Sequence, residues 1–143
     1  MEICLHTPMT LGEIFGGTYE IRVDRPMGYR HIKDDGTRLD YPINYGEIPS
    51  IEGGDGEPQD VYILGVGRPI ETFRGRIIAV IHRLDDNEDK WVTSPEEKTF
   101  SEAEILEAVR FQEQYYHSVI IMRPEAPGPS GGRKQKEPKK RTV

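Results

Sequence analysis

Apolar residues recur along this chain with two periods, and the change of period separates a β portion from one late helix. Residues 18–23 alternate apolar and polar side chains until Asp24-Arg25-Pro26 breaks the run, the mark of a half-buried strand. Residues 60–66 set Val61 and Ile63 against Tyr62 and Leu64. The run RIIAVIH at 76–82 is nearly all branched and apolar, as expected of a strand covered on both faces. Residues 90–93 and 118–122 are shorter strand candidates. Helical spacing begins only after Phe100. Ser101 and Glu104 form a capping box, with Phe100 and Ile105 at the staple positions. Ile105, Val109, Gln112 and Tyr116 then line one side, with Ala108 and Phe111 beside them, which predicts a helix from residue 102 to about 116. The whole reads as mainly β with α+β character: a small barrel, closed or partly open, carrying one long C-terminal helix.

Length and charge sharpen this picture. A chain of 143 residues, 35% hydrophobic and 31% charged, fits one domain with one modest core. The formal charge of -6 hides an uneven distribution. Residues 123–143 hold seven Lys/Arg and two Asp/Glu, or +5, which leaves -11 on residues 1–122. The terminal stretch is rich in Pro and Gly and then almost entirely charged, so it is expected to be a disordered basic tail following a domain at 1–122. No apolar run approaches the roughly 18 residues of a membrane span, and the first residues show neither a basic nor an apolar leader segment. The single cysteine, Cys4, excludes an internal disulfide and a thiolate-rich zinc site, and a cytoplasmic setting is expected. An acidic domain is also a poor non-specific ligand for nucleic acid, which leaves only the tail for such a contact.

Candidate chemistry concentrates in two acidic loops. In Gly53-Gly54-Asp55-Gly56-Glu57-Pro58-Gln59-Asp60, three carboxylates fall within six residues on a backbone that glycines let turn sharply. Two carboxylates about 4 Å apart repel by about 4 kcal/mol at an effective dielectric of 20, so their convergence implies bound cations. Oxygen donors without cysteine suit Mg²⁺, or Mn²⁺, better than Zn²⁺. A solvated acidic turn explains the spacing equally well. The second loop, Asp85-Asp86-Asn87-Glu88-Asp89-Lys90, is as a bare charge run more often an exposed hairpin tip. Tyr41-Pro42-Ile43-Asn44-Tyr45-Gly46 reads as a loop rich in neutral donors, and ordinary core tyrosines account for it nearly as well.

Taken together, the tyrosine loop, the DGEPQD segment at 55–60, Asp85 through Lys90, and FQEQY at 111–115 resemble the family I soluble inorganic pyrophosphatases over about residues 18–121. The resemblance implies a five-stranded barrel with flanking helices and hydrolysis of pyrophosphate, a small phosphate substrate. It also implies metal coordination by Asp55, Asp60, Asp85 and either Glu88 or Asp89. Glu57 falls where the family carries an aspartate that assists the attacking water. Lys90, Tyr45 and Tyr115 would hold phosphate, with Arg25, Arg30 or Lys33 standing in for upstream basic groups. The chain departs from the pattern at three points: Glu57 is one methylene longer, Tyr116 replaces a lysine, and the Asp85–Lys90 interval is short. A reacting group displaced by about 1 Å can cost about 100-fold in rate. The readings carried forward are Mg²⁺-dependent pyrophosphate hydrolysis, hydrolysis of another phosphoanhydride, and a non-catalytic metal- or phosphate-binding module. A homo-oligomer is left open.

Overall fold

The structure, a computed structural model, describes residues 5–124. Its elements in chain order are α1 (Leu11–Gly16), β1 (Thr18–Arg25), β2 (Arg30–Ile32), β3 (Arg38–Asp40), β4 (Asn44–Glu52), β5 (Pro58–Ile63), β6 (Thr72–Arg83), β7 (Asp89–Thr93), α2 (Glu102–Glu113) and β8 (Ser118–Met122). Strands run β1-β4-β5-β7-β6-β8, and β1 also pairs with β6, which closes a five-stranded barrel and leaves β8 as an outer strand. All pairings in this sheet are antiparallel except β5 with β7. The 12-residue β6 makes closure possible. Its first five residues, 72–76, pair with β1, and residues 79–83 pair with β8.

The period-two strands sort their side chains into two cores. Inside the barrel lie Ile21, Ile48, Val61, Ile63, Ile77, Val80 and Trp91, joined by Ile14 and Phe15 of α1. Outside it, Tyr62, Leu64, Ala79, Ile81 and Val92 meet Ile105 and Val109 of α2. Within the 76–82 run, residues 77–82 are thus covered on both sides, as the composition predicts, while Arg76 is exposed. Ile105 and Val109 are fully buried, which contributes about 1.5–3 kcal/mol for each side chain. Ser101 and Glu104 form the capping box that starts α2.

Several expectations change. The helix ends at Glu113 rather than near 116, and the strand expected at 118–122 follows it as β8. Asn44, Tyr45 and Gly46 open β4 rather than lying in a loop. The strand expected at 60–66 spans Pro58–Ile63. Helix α1 and the β2–β3 hairpin were not anticipated. The tail reading falls almost wholly on residues 125–143, and Cys4 precedes residue 5; both lie outside the described residues.

Candidate active site

The outer faces of β5, β6 and β7 converge with the end of α2 on a cleft of about 310 Å³. Alternation along each strand puts Asp60 on the same face as Tyr62, Lys90 on that of Val92, and Arg83 on that of Ala79 and Ile81. The Lys90 ammonium is the hub. It donates to Asp60 Oδ2 and Glu88 Oε1, each at 2.6 Å, and to the Tyr45 hydroxyl at 2.9 Å. Burial acts against the ammonium charge, but Tyr45 and Asp60 beside it outweigh that effect and raise its pKa. Lys90 is therefore a fixed cation at any ordinary pH. Burial pushes the Tyr45 hydroxyl up as well, against the pull of Lys90, so this group stays a neutral donor.

A row of hydrogen bonds supports the cleft from below. Arg25 donates to the Tyr41 hydroxyl, Tyr41 to Gln112 Oε1 at 2.8 Å, Gln112 Nε2 to the Tyr62 hydroxyl at 2.8 Å, and Tyr62 to Glu113 Oε2 at 2.6 Å. Glu113 also accepts from Arg83 Nε at 3.1 Å and Nη2 at 2.7 Å, while Arg83 Nη1 reaches Asp86 at 3.0 Å. The Tyr116 ring lies 3.6 Å from the Arg83 guanidinium carbon, a cation–π contact. A satisfied network of this kind is rigid, and it fixes Arg25 and Arg83 where they border the cleft.

The lining balances its charges. Asp24, Asp55, Asp60 and Glu88 face Arg25, Lys33, Arg83 and Lys90, with His31 beside them. Asp24 reaches solvent, yet partial burial and then Glu47 hold its carboxyl above the usual range. The sequence-derived set is therefore divided. Asp55, Asp60, Glu88, Lys90, Tyr45 and Arg25 come together around the cleft. Glu57 is exposed outside the lining, its amide held by Asp55 Oδ1 at 3.0 Å. Asp85 is exposed and accepts from the His117 amide at 3.0 Å. Asp89 points to the barrel interior and accepts from His82 and from the His6 amide. Arg30 is exposed and paired with Asp40, and Tyr115 is half exposed under the Lys33 ammonium.

Asp24, Arg83 and Gln112 were missed. For Arg83 there was a signal: a charge at the end of an apolar strand, in phase with Ala79 and Ile81. For Asp24 and Gln112 nothing in the sequence separated them from a strand terminus and a helix face.

The loop carrying Asp55 passes close to its neighbours at Gly54. A Cβ there would collide with the Asn87 carbonyl and would lie 2.8 Å from both the Cβ and the carbonyl of His6. Gly54→Ala is expected to destabilise the fold by about 1–3 kcal/mol, the usual cost of overpacking, read as a lower urea midpoint with an unchanged slope.

The sequence pattern of the inorganic pyrophosphatase family matches residues 17–113, from the start of β1 to the end of α2. The chain belongs to this family. No curated protein matches the pyrophosphatase chain significantly. Among solved structures, it superposes on the inorganic pyrophosphatase from Thermus thermophilus with a TM-score of 0.56 at 17% identity, over 84% of this chain and 91% of that one. The inorganic pyrophosphatase from Ehrlichia chaffeensis gives 0.53 at 16% identity, over 82% and 89%. At these identities the likeness is one of fold. An inorganic phosphatase from Anaplasma phagocytophilum matches at 22% identity with a TM-score of 0.42, and the pyrophosphatase chain spans 56% of that protein's length.

The family implies a divalent metal, and the donors of the cleft are of the chemical kind that holds one, although Asp55, Asp60 and Glu88 do not gather within 4.8 Å of one another as His6, His82 and Asp89 do. Asp55, Asp60 and Glu88 offer only carboxylate oxygen, the choice of hard cations. Asp60 and Glu88 already converge on a single positive centre, the Lys90 ammonium.

Proposed function

We propose that this protein hydrolyses inorganic pyrophosphate to two phosphates with Mg²⁺ held by Asp55, Asp60 and Glu88. The observation that carries this reading is the Lys90 hub. One buried ammonium held by two carboxylates and a tyrosine opens onto a cleft that also presents Arg25, Lys33 and Arg83. Such a site can receive a compact polyanion and its counter-cations together.

When bound, Mg²⁺ lowers the pKa of its water and polarises phosphoryl oxygen. The chain's own residues do the rest. Lys90 sets a fixed positive charge beside the phosphate, the Tyr45 hydroxyl, which accepts from Lys90, donates its own proton to a phosphate oxygen, and Arg25, anchored on Tyr41, meets the charge that grows on the leaving phosphate. Hydrogen bonds hold these groups in place beforehand. Glu57 is the base by resemblance. To act as one it must turn in from its exposed position, a movement that glycines 53, 54 and 56 permit. Asp85 and Asp89 are left out of the proposed ligand set because they face other partners.

No described helix is long and apolar enough to cross a membrane. Residence in the cytoplasm belongs to the proposal and rests on the single cysteine.

The test is phosphate release by the purified full chain. Release from pyrophosphate with Mg²⁺, and none with chelator, is the expected result; ATP and tripolyphosphate in the same panel report the substrate range. A folded protein inert on pyrophosphate with both Mg²⁺ and Mn²⁺ overturns the reading.

A further inference from the structure

On the opposite side of β7 from Lys90 lies a group that the cleft does not use. His82 and Asp89 are register partners on β6 and β7, and His82 Nδ1 lies 2.7 Å from Asp89 Oδ1. His6 joins them from the segment before α1. Its amide donates to Asp89 Oδ2 at 2.9 Å, its ring stacks on His82 at 4.5 Å between centroids, and its Nε2 lies 2.9 Å from the Arg83 carbonyl. One nitrogen of each imidazole and one carboxylate oxygen fall within 4.8 Å of one another.

The Asp89 carboxylate is 1% exposed. Among the described residues its only partners within ion-pair distance are the two imidazoles, because Lys90 and Arg83 turn outward. A buried carboxylate is too costly to leave without a positive partner. Here that partner is either an imidazolium or a metal ion. Three ligands from three separate segments, two of them nitrogen, are a donor set for a borderline cation, with one position left for water. Gln59 gives the group an outer contact. Its Nε2 donates to the Asp89 carbonyl at 2.6 Å, and its Oε1 is buried without a partner among the described residues.

We infer that His6, His82 and Asp89 form a second metal site, selective for Zn²⁺-class cations and separate from the all-oxygen cleft. Neutral imidazole nitrogens are the ligands. The nitrogen that coordinates gives up its present hydrogen bond, and any proton it carries passes to solvent. An ion here would tie residues 5–10 to the barrel wall, behind the strand that carries Lys90. This inference is independent of the pyrophosphatase reading.

The test is calorimetric titration of the full chain with ZnCl₂ under excess Mg²⁺, which saturates the carboxylate cleft. The expected result is one Zn²⁺ per chain, retained in Asp60→Asn and weakened by at least about 100-fold in His6→Gln and His82→Gln, beyond the loss seen when only an outer contact is removed. Co²⁺ in place of Zn²⁺ should give the visible absorption of nitrogen ligation, absent in the same two variants. Binding that survives both histidine changes, binding lost in Asp60→Asn, or no stoichiometric Zn²⁺ binding overturns the inference. Should His82→Gln fail to fold, His6→Gln decides the matter, because its half-buried ring lies outside the barrel strands.

Discussion

Asp60→Asn reduces kcat/KM for pyrophosphate by at least about 100–1,000-fold, the scale of removing one preorganised electrostatic group from an active site, and leaves the fold intact. The variant is isosteric, so its amide oxygen can still accept from Lys90, and Glu88 remains at 2.6 Å from the same ammonium. What disappears is one full negative charge on the rigid middle of β5, where a divalent cation has to be held. A phosphate-release assay run beside circular dichroism distinguishes this from unfolding. Full activity in a folded Asp60→Asn protein would remove Asp60 from the ligand set.

Glu113→Ala acts on stability instead. Glu113 accepts twice from Arg83 and once from Tyr62, and the two charged side chains are 6% and 3% exposed. Removing it leaves the buried guanidinium with Asp86 as its one remaining carboxylate among the described residues and the Tyr62 hydroxyl without its acceptor. Breaking one partner of such a pair costs about 3–5 kcal/mol, against a total stability of about 5–15 kcal/mol for a typical domain. Chemical denaturation should show the loss, with Glu113→Gln falling between the two because its oxygen still accepts. Burial opposes the Arg83 charge, but Glu113 outweighs it and raises the guanidinium pKa above its ordinary value. A raised pKa of this kind keeps the guanidinium's share of the stabilisation whole as pH rises, up to its unfolded value. The stability gap between the natural chain and the Glu113→Ala variant should therefore not fade on the alkaline side of neutrality.

Legibility in the sequence followed the strength of local patterns. Strand β6 and helix α2 were clear because an unbroken branched run and a capping box each admit one structure. Strand β4 was not, because Gly46 and Pro49 interrupt it and its register slips between Ile48 and Glu52, where a bulge accommodates a proline that an ordinary ladder would reject. Helix α1 carried the same kind of capping box, Thr10 with Glu13, but only six residues follow it, too few to show a period. In the cleft, Asp60 and Lys90 stand at the two places where an acidic run meets an apolar strand, which is what drew notice to them in the sequence. Glu88 and Asp89 were not separable, since adjacent residues on a strand face opposite ways and only the register of β7 against β6 shows which one looks outward. Asp85 is near them in sequence, but a turn of chain carries it to His117.

Strand β6 has one more consequence. Along a single edge it meets first β8, at residues 83 to 79, and then β1, at residues 76 to 72. Met122 ends opposite Ala79 and Thr18 begins opposite Arg76, about 10 Å apart at about 3.3 Å per residue. The Arg123 amide bonds Ile78 in the interval. The last strand and the first are thus laid head to tail, two pieces of one line with a short break between them. Together they leave almost none of that edge of β6 open for pairing with another chain.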